Sequence, residues 1–126
     1  MKAMTIRSLL PAAALVALAA AGPASGASSA KYYLAVGDSI AYGLQPDKVD
    51  AGLPPSGFDT GYVDVVARRL RAGTPGLKVV NLGCPGETTV TYLHGGCPWA
   101  AAAGRLHDPY RGPQAAAAAA FLRAHG

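Results

Sequence analysis

The chain is poor in most of the residues that mark specialised proteins. Only two of its 126 residues are cysteine, which excludes a disulfide-dense scaffold and a multi-cysteine metal cluster. Charged residues are 14% of the chain and form no long run of one sign, so neither an acidic tail nor a highly charged disordered segment is present. No segment repeats at solenoid length. The apolar run Leu9 to Ala21 is interrupted by Pro11 and falls short of the roughly 18 to 20 residues that cross a bilayer, which argues against a membrane anchor.

The hydrophobic fraction of 51% and the length of 126 residues point to one small globular domain, with no room for two. Sixteen glycines and ten prolines imply many turns, without the period of collagen or the monotony of a linker. The formal charge of +4 invites a nucleic-acid partner only if the basic residues cluster. They are scattered, and without Lys2 and Arg7 nine basic residues face seven acidic ones. Arg68, Arg69 and Arg71 read as the solvated face of a helix, so no nucleic-acid partner is expected.

Lys2 and Arg7 ahead of the apolar run, with small residues over Gly22 to Ala27, form the pattern of a secretory leader. Residues 1–27 are therefore expected to be removed, with cleavage after Ala27 or after Ala30, leaving 28–126 as the exported domain. In that oxidising compartment Cys84 and Cys97 are expected to pair, contributing on the order of 3 kcal/mol; two buried free thiols are the alternative. A metal site would need more ligands, and none is expected.

Tyr32 to Val36 reads as a short apolar strand that runs into Gly37-Asp38-Ser39, delivering a hydroxyl at the carboxyl end of a strand, where open α/β sheets carry their chemistry. Ser39 is the candidate nucleophile. Gly37 permits the tight turn, and Asp38 is placed to organise that turn by hydrogen bonds. Leu44 to Asp59, rich in Pro, Gly and Asp, reads as a surface loop. From Thr60 the apolar residues Tyr62, Val65, Val66 and Leu70 fall at helical spacing and are expected to face the core, until Gly73 and Pro75 end the run. Leu77 to Leu82 is a second strand, so the order strand, helix, strand predicts a right-handed crossover and a parallel sheet. A second loop, Gly83 to Thr89, then leaves the same sheet edge as Ser39 and leads into a short helix over Thr88 to Leu93, and a helical run covers Gln114 to His125.

The block Gly37-Asp38-Ser39-Ile40 after a strand, with Asn81 through Thr89 and its Pro-Gly-Glu-Thr core, resembles the first two sequence blocks of the GDSL esterase/lipase family, the SGNH hydrolases. Gly61-Tyr62 at the start of the intervening helix is similar to secreted bacterial members. The resemblance covers Tyr32 to about Leu93. It implies a flavodoxin-like three-layer α/β/α fold with a parallel sheet, and hydrolysis of small-molecule, lipid or carbohydrate esters without metal or cofactor. Carried over by position, Ser39 is the nucleophile and its N–H one oxyanion donor. Gly86 is the second donor, with Gly83 a weaker candidate.

The family's third donor, in a Gly-x-Asn-Asp motif, and its base, in an Asp-x-x-His motif, do not occur in the sequence. With only two strands recognisable and three or more needed for independent stability, the chain is expected to be the N-terminal part of such a domain, lacking the catalytic His and Asp. His94, His107 and His125 read as solvated polar residues rather than substitutes, and Trp99 and Tyr110 as loop aromatics that cover a core edge, with the lining of a substrate cleft as the alternative. The alternative from another class is a non-catalytic exported binding or surface module.

Overall fold

The two strands owe their pairing to apolar residues that must be covered on both faces. In the computed structural model, which describes residues 30–102 and 104–126, β1 (Tyr32–Ala35) and β2 (Lys78–Asn81) form a two-stranded parallel sheet. Tyr32 pairs with Lys78 and Ala35 with Asn81. Between and after them lie five helices: α1 (Ser39–Tyr42), α2 (Pro46–Asp50), α3 (Tyr62–Gly73), α4 (Thr89–His94) and α5 (Gln114–His125). The leader expected over residues 1–27 lies outside the described residues. No described helix is long and apolar enough to cross a membrane.

Strand alternation assigns a helix to each face. Ala35 is buried in a cluster with Ala41 of α1 and Val63 of α3, and Tyr33 and Val79 pack against that cluster. Tyr32, on the opposite face, meets Phe121 of α5 edge-on at 5.1 Å between ring centroids and stacks obliquely on His125. The sheet is therefore sandwiched, α3 on one side and α5 on the other.

The α3 helix starts where expected, with the Gly61 N–H donating to Asp64 Oδ2 at 3.1 Å as a first-turn cap. Its buried stripe differs from the expected one. Val63 and Ala67 are buried, whereas Tyr62 is 48% exposed and Val65, Val66 and Leu70 are exposed with it. The difference in stripe has a geometric cause: small Ala35, Ala41 and Ala67 let the helix approach along the narrow Val63–Ala67 stripe. A sheet of two strands is too narrow to reach the rest of the apolar face.

Leu44 to Asp59 is also more structured than a surface loop. It holds α2 and a single 3-10 turn, Pro55–Phe58, whose Phe58 is fully buried against the Tyr42 ring at 5.2 Å. A second cluster joins Cys84, Cys97 and Leu106, with Trp99, Ala100 and Tyr110 packed around it. Trp99 and Tyr110 thus cover a core edge, as their loop positions suggest.

Candidate active site

Ser39 is the first residue of α1, immediately beyond the carboxyl end of β1. Asp38 caps the helix, its Oδ1 accepting from the Ile40 N–H at 3.0 Å, which is the turn-organising role expected of it. Gly43, in the left-handed region at φ 82°, ends α1 after a single turn. Gly37 has φ 134°, a conformation that side chains resist, and a Cβ there would lie 3.2 Å from Ala41 Cβ. Among the described residues no hydrogen bond engages the Ser39 hydroxyl or its N–H.

The second loop runs alongside the first because the parallel ladder continues past the strands. Leu82 N–H donates to Ala35 O at 2.9 Å, and Cys84 N–H donates to Gly37 O at 3.0 Å. Cys84-Pro85-Gly86-Glu87 is then a tight turn closed by Glu87 N–H to Cys84 O at 3.0 Å. Proline at its second position and Gly86 at φ 87° in its third are the signature of a type II turn. Such a turn leaves the N–H of its third residue free, and the Gly86 N–H has no partner among the described residues. The Gly83 N–H, by contrast, is held by Asn81 Oδ1 at 2.9 Å, so of the two candidate donors only Gly86 is unengaged.

Two buried amides outside these turns do most to hold them. Asn81, at the end of β2, donates from Nδ2 to Ala41 O at 2.8 Å and so fastens α1 to the second strand. Its own N–H points away from β1 and is taken by Asp108 Oδ2 at 2.7 Å. Gln114, the first residue of α5, reaches back to both the N–H and the carbonyl of Gly37. An amide at a strand or helix terminus resembles an ordinary boundary residue, so neither set of partners is legible from near neighbours in sequence.

The histidines divide. His94 and His125 are exposed. His107, expected to be solvated, is instead 12% exposed by side chain: its Nε2 lies 2.9 Å from Tyr42 O, its Nδ1 3.3 Å from Asp59 Oδ1, and its ring stacks on Tyr42 at 4.5 Å. The Tyr42 ring it packs on is itself fixed by the hydrogen bond from its hydroxyl to Arg105 O at 3.0 Å. His107 lines a charged cavity of 360 Å³ with Asp59, Asp64, Arg68 and Asp108 that Ser39 does not share. No described histidine hydrogen-bonds Ser39.

Cys84 and Cys97 form the expected disulfide, with Glu87 beside it. The Glu87 Oε2 accepts from the Tyr110 hydroxyl at 3.1 Å and from Gln114 Nε2 at 3.0 Å, while its Oε1 is buried with no partner among the described residues. Burial, reinforced by the Glu87 charge, pushes the Tyr110 phenol up to about 12 from its ordinary 10.0. A proton held more tightly in the folded chain stabilises the fold below pH 10, and that contribution is lost as pH rises from about 10 to about 12. Urea unfolding followed at pH values between 8 and 11.5 should therefore show stability falling above about pH 10. Tyr110→Phe should flatten that fall, leaving the smaller slope due to Tyr33 and Tyr42, whose phenols burial also raises. An unchanged profile in Tyr110→Phe would refute the assignment.

The structure thus puts Gly37, Asp38 and Ser39 on one loop, Gly83 and Gly86 on its neighbour, and ties the loops directly. Among the described residues no histidine hydrogen-bonds either loop. Comparison with protein-family models, with curated proteins and with solved structures finds no match to this chain.

Proposed function

We propose that Ser39 is the nucleophile of a secreted carboxylic ester hydrolase of the GDSL type, in a flavodoxin-like domain to which the described sheet contributes two strands. The observation that carries the reading is a hydroxyl on the first turn of a helix at the carboxyl end of a parallel strand, beside a second loop, with the N–H groups of Ser39 and Gly86 unengaged. The disulfide agrees with an exported protein. Ser39 Oγ would attack the ester carbonyl carbon, its proton passing to a base as the carbonyl π pair moves onto oxygen. The two N–H groups would stabilise that oxyanion, each such donor being worth about 100-fold or more in rate. Collapse expels the alcohol, which recovers the proton from the base, and water then hydrolyses the acyl-serine.

No described histidine hydrogen-bonds Ser39, so the reading takes the base from elsewhere. Two outcomes follow. The 126-residue chain should turn over a short-chain ester negligibly, and turnover lost in Ser39→Ala would show instead that it carries its own base. Added imidazole should substitute for the base: with p-nitrophenyl acetate, peptide mass spectrometry should find Ser39 acetylated at least about tenfold faster than the exposed Ser56. Equal, slow acetylation of the two serines would discard the hydrolase in favour of a non-catalytic exported binding module.

A further inference from the structure

The Gln114 side chain is fully buried and stands 77 positions from Gly37 in sequence. Its Oε1 accepts from the Gly37 N–H at 2.7 Å and its Nε2 donates to the Gly37 carbonyl at 2.9 Å. That pair fixes the amide's orientation, because a flipped side chain would face donor with donor and acceptor with acceptor. The same Nε2 lies 2.8 Å from Leu82 O, 3.0 Å from Glu87 Oε2 and 3.2 Å from the Tyr110 hydroxyl. An amide nitrogen has two protons, so these acceptors compete for them. The network stays oriented because the Tyr110 hydroxyl, donating to Glu87 Oε2, satisfies the carboxylate from the other side.

Gly37 is the soft joint of the first loop. It has no side chain, its φ of 134° lies where only glycine is comfortable, and its torsions aim the Asp38-Ser39 segment relative to β1. Gln114 clamps both polar groups of that residue, as a neighbouring strand would. It holds Leu82 and Glu87 as well, the residue before Gly83 and the last residue of the Cys84–Glu87 turn. We infer that Gln114 is the positioning residue of the Ser39 site, fixing the first loop against the second and so the Ser39 N–H relative to the Gly86 N–H. The inference rests on the hydrolase reading above, yet it can fail alone.

Imidazole-assisted acetylation of Ser39 in the full chain tests it, with rate and final extent measured separately. A side chain that merely helped the chain fold would lower the fraction of molecules that react. A positioning residue lowers the rate constant of folded molecules and leaves that fraction intact. Gln114→Leu, of similar size but without hydrogen bonds, should cut the maximal rate constant about 100-fold, the scale of an ångström's misplacement, with half-saturating ester and final extent unchanged. Should Gln114→Leu not fold, Gln114→Met serves. Its unbranched side chain keeps the length of glutamine but has neither the acceptor for the Gly37 N–H nor the donors to Gly37 O and Leu82 O, and the rate should again fall with the extent preserved. A wild-type rate in either folded variant, or a loss confined to final extent, overturns the inference while the hydrolase reading survives. Wild-type chain showing no preference for Ser39 over Ser56 removes both.

Discussion

Gly83→Ala is expected to destabilise the chain by about 3 kcal/mol and to pull the second loop off α1. A Cβ at Gly83 would stand 2.6 Å from Tyr42 N, 2.9 Å from Ala41 C and 2.9 Å from Asn81 Oδ1. The first two are backbone atoms of α1 and cannot swing aside. The third is the acceptor of the Gly83 N–H, on a side chain whose Nδ2 also holds Ala41 O. Any relief therefore moves α1 or breaks the Asn81 bridge, leaving a buried amide unsatisfied. The Gly83 φ is not among the positive ones, so the cost is steric contact rather than backbone conformation. Gly73→Ala is the control. Nothing lies within 4 Å of a Cβ at this last residue of α3, and alanine there should leave stability unchanged or raise it by up to about 1 kcal/mol through helix propensity. Urea unfolding read by the fluorescence of Trp99 gives both values, and a Gly83→Ala chain as stable as wild type would contradict the close approach of loop and helix.

What could be read in advance from the residues was what depends on near neighbours in sequence. The strand ahead of Gly37-Asp38-Ser39, the Asp38 cap, the α3 start near Gly61 and the α5 span Gln114–His125 each follow from residues within a turn of one another. The parallel pairing of β1 and β2 followed one step later, since a helix between two apolar strands leaves little else. The disulfide was legible from the even count of cysteines together with the expectation of an oxidising compartment.

What escaped is tertiary and polar. Helical spacing identified an apolar face on α3 but could not say which stripe of it meets the sheet. The answer, Val63 and Ala67, depended on the small residues Ala35 and Ala41 opposite. His107 carries no local sign of being folded under Tyr42, because its partners Tyr42 and Asp59 are 65 and 48 positions away. Gln114 was the largest omission. A glutamine that opens a run of six alanines contrasts with everything after it, and that contrast was the only signal that its amide had a use inside the protein. Of the candidate site, the strand that leads to Ser39 and the two glycine-bearing loops are legible in the sequence, while only the hydrogen bond to Asn81 Oδ1 shows that the Gly83 N–H is engaged.

Removing the disulfide should also lower stability by about 3 kcal/mol, with a loss concentrated between the two cysteines. The bridge closes a segment 13 residues long, and in the chain-entropy account that constraint acts mainly on the unfolded state. The folded segment makes the loss local as well. Between the cysteines, α4 contributes no buried residue, and its start is held by a Thr88–Thr91 capping box that reaches no other element. Cys84 and Cys97 sit buried against Leu106 at the ends of the segment, and between them it is held where Glu87 meets Tyr110 and Gln114 and where α4 rests on α5. Cys84→Ala combined with Cys97→Ala keeps the site apolar, so the measured difference reports the lost crosslink and a small cavity rather than a buried polar group. Hydrogen exchange should show the amides of α4 and the Glu87 N–H losing protection, while β1, β2 and α3 keep theirs until global unfolding. Because Gly86 lies two residues from Cys84 and a Cβ there would touch the Pro98 ring next to Cys97, the same variant should loosen the turn that presents the Gly86 N–H. Imidazole-assisted acetylation of Ser39 would then slow under conditions where the sheet is still intact. A double variant within about 1 kcal/mol of wild type, with α4 protection unchanged, would mean that packing around Leu106 rather than the crosslink holds this half of the site.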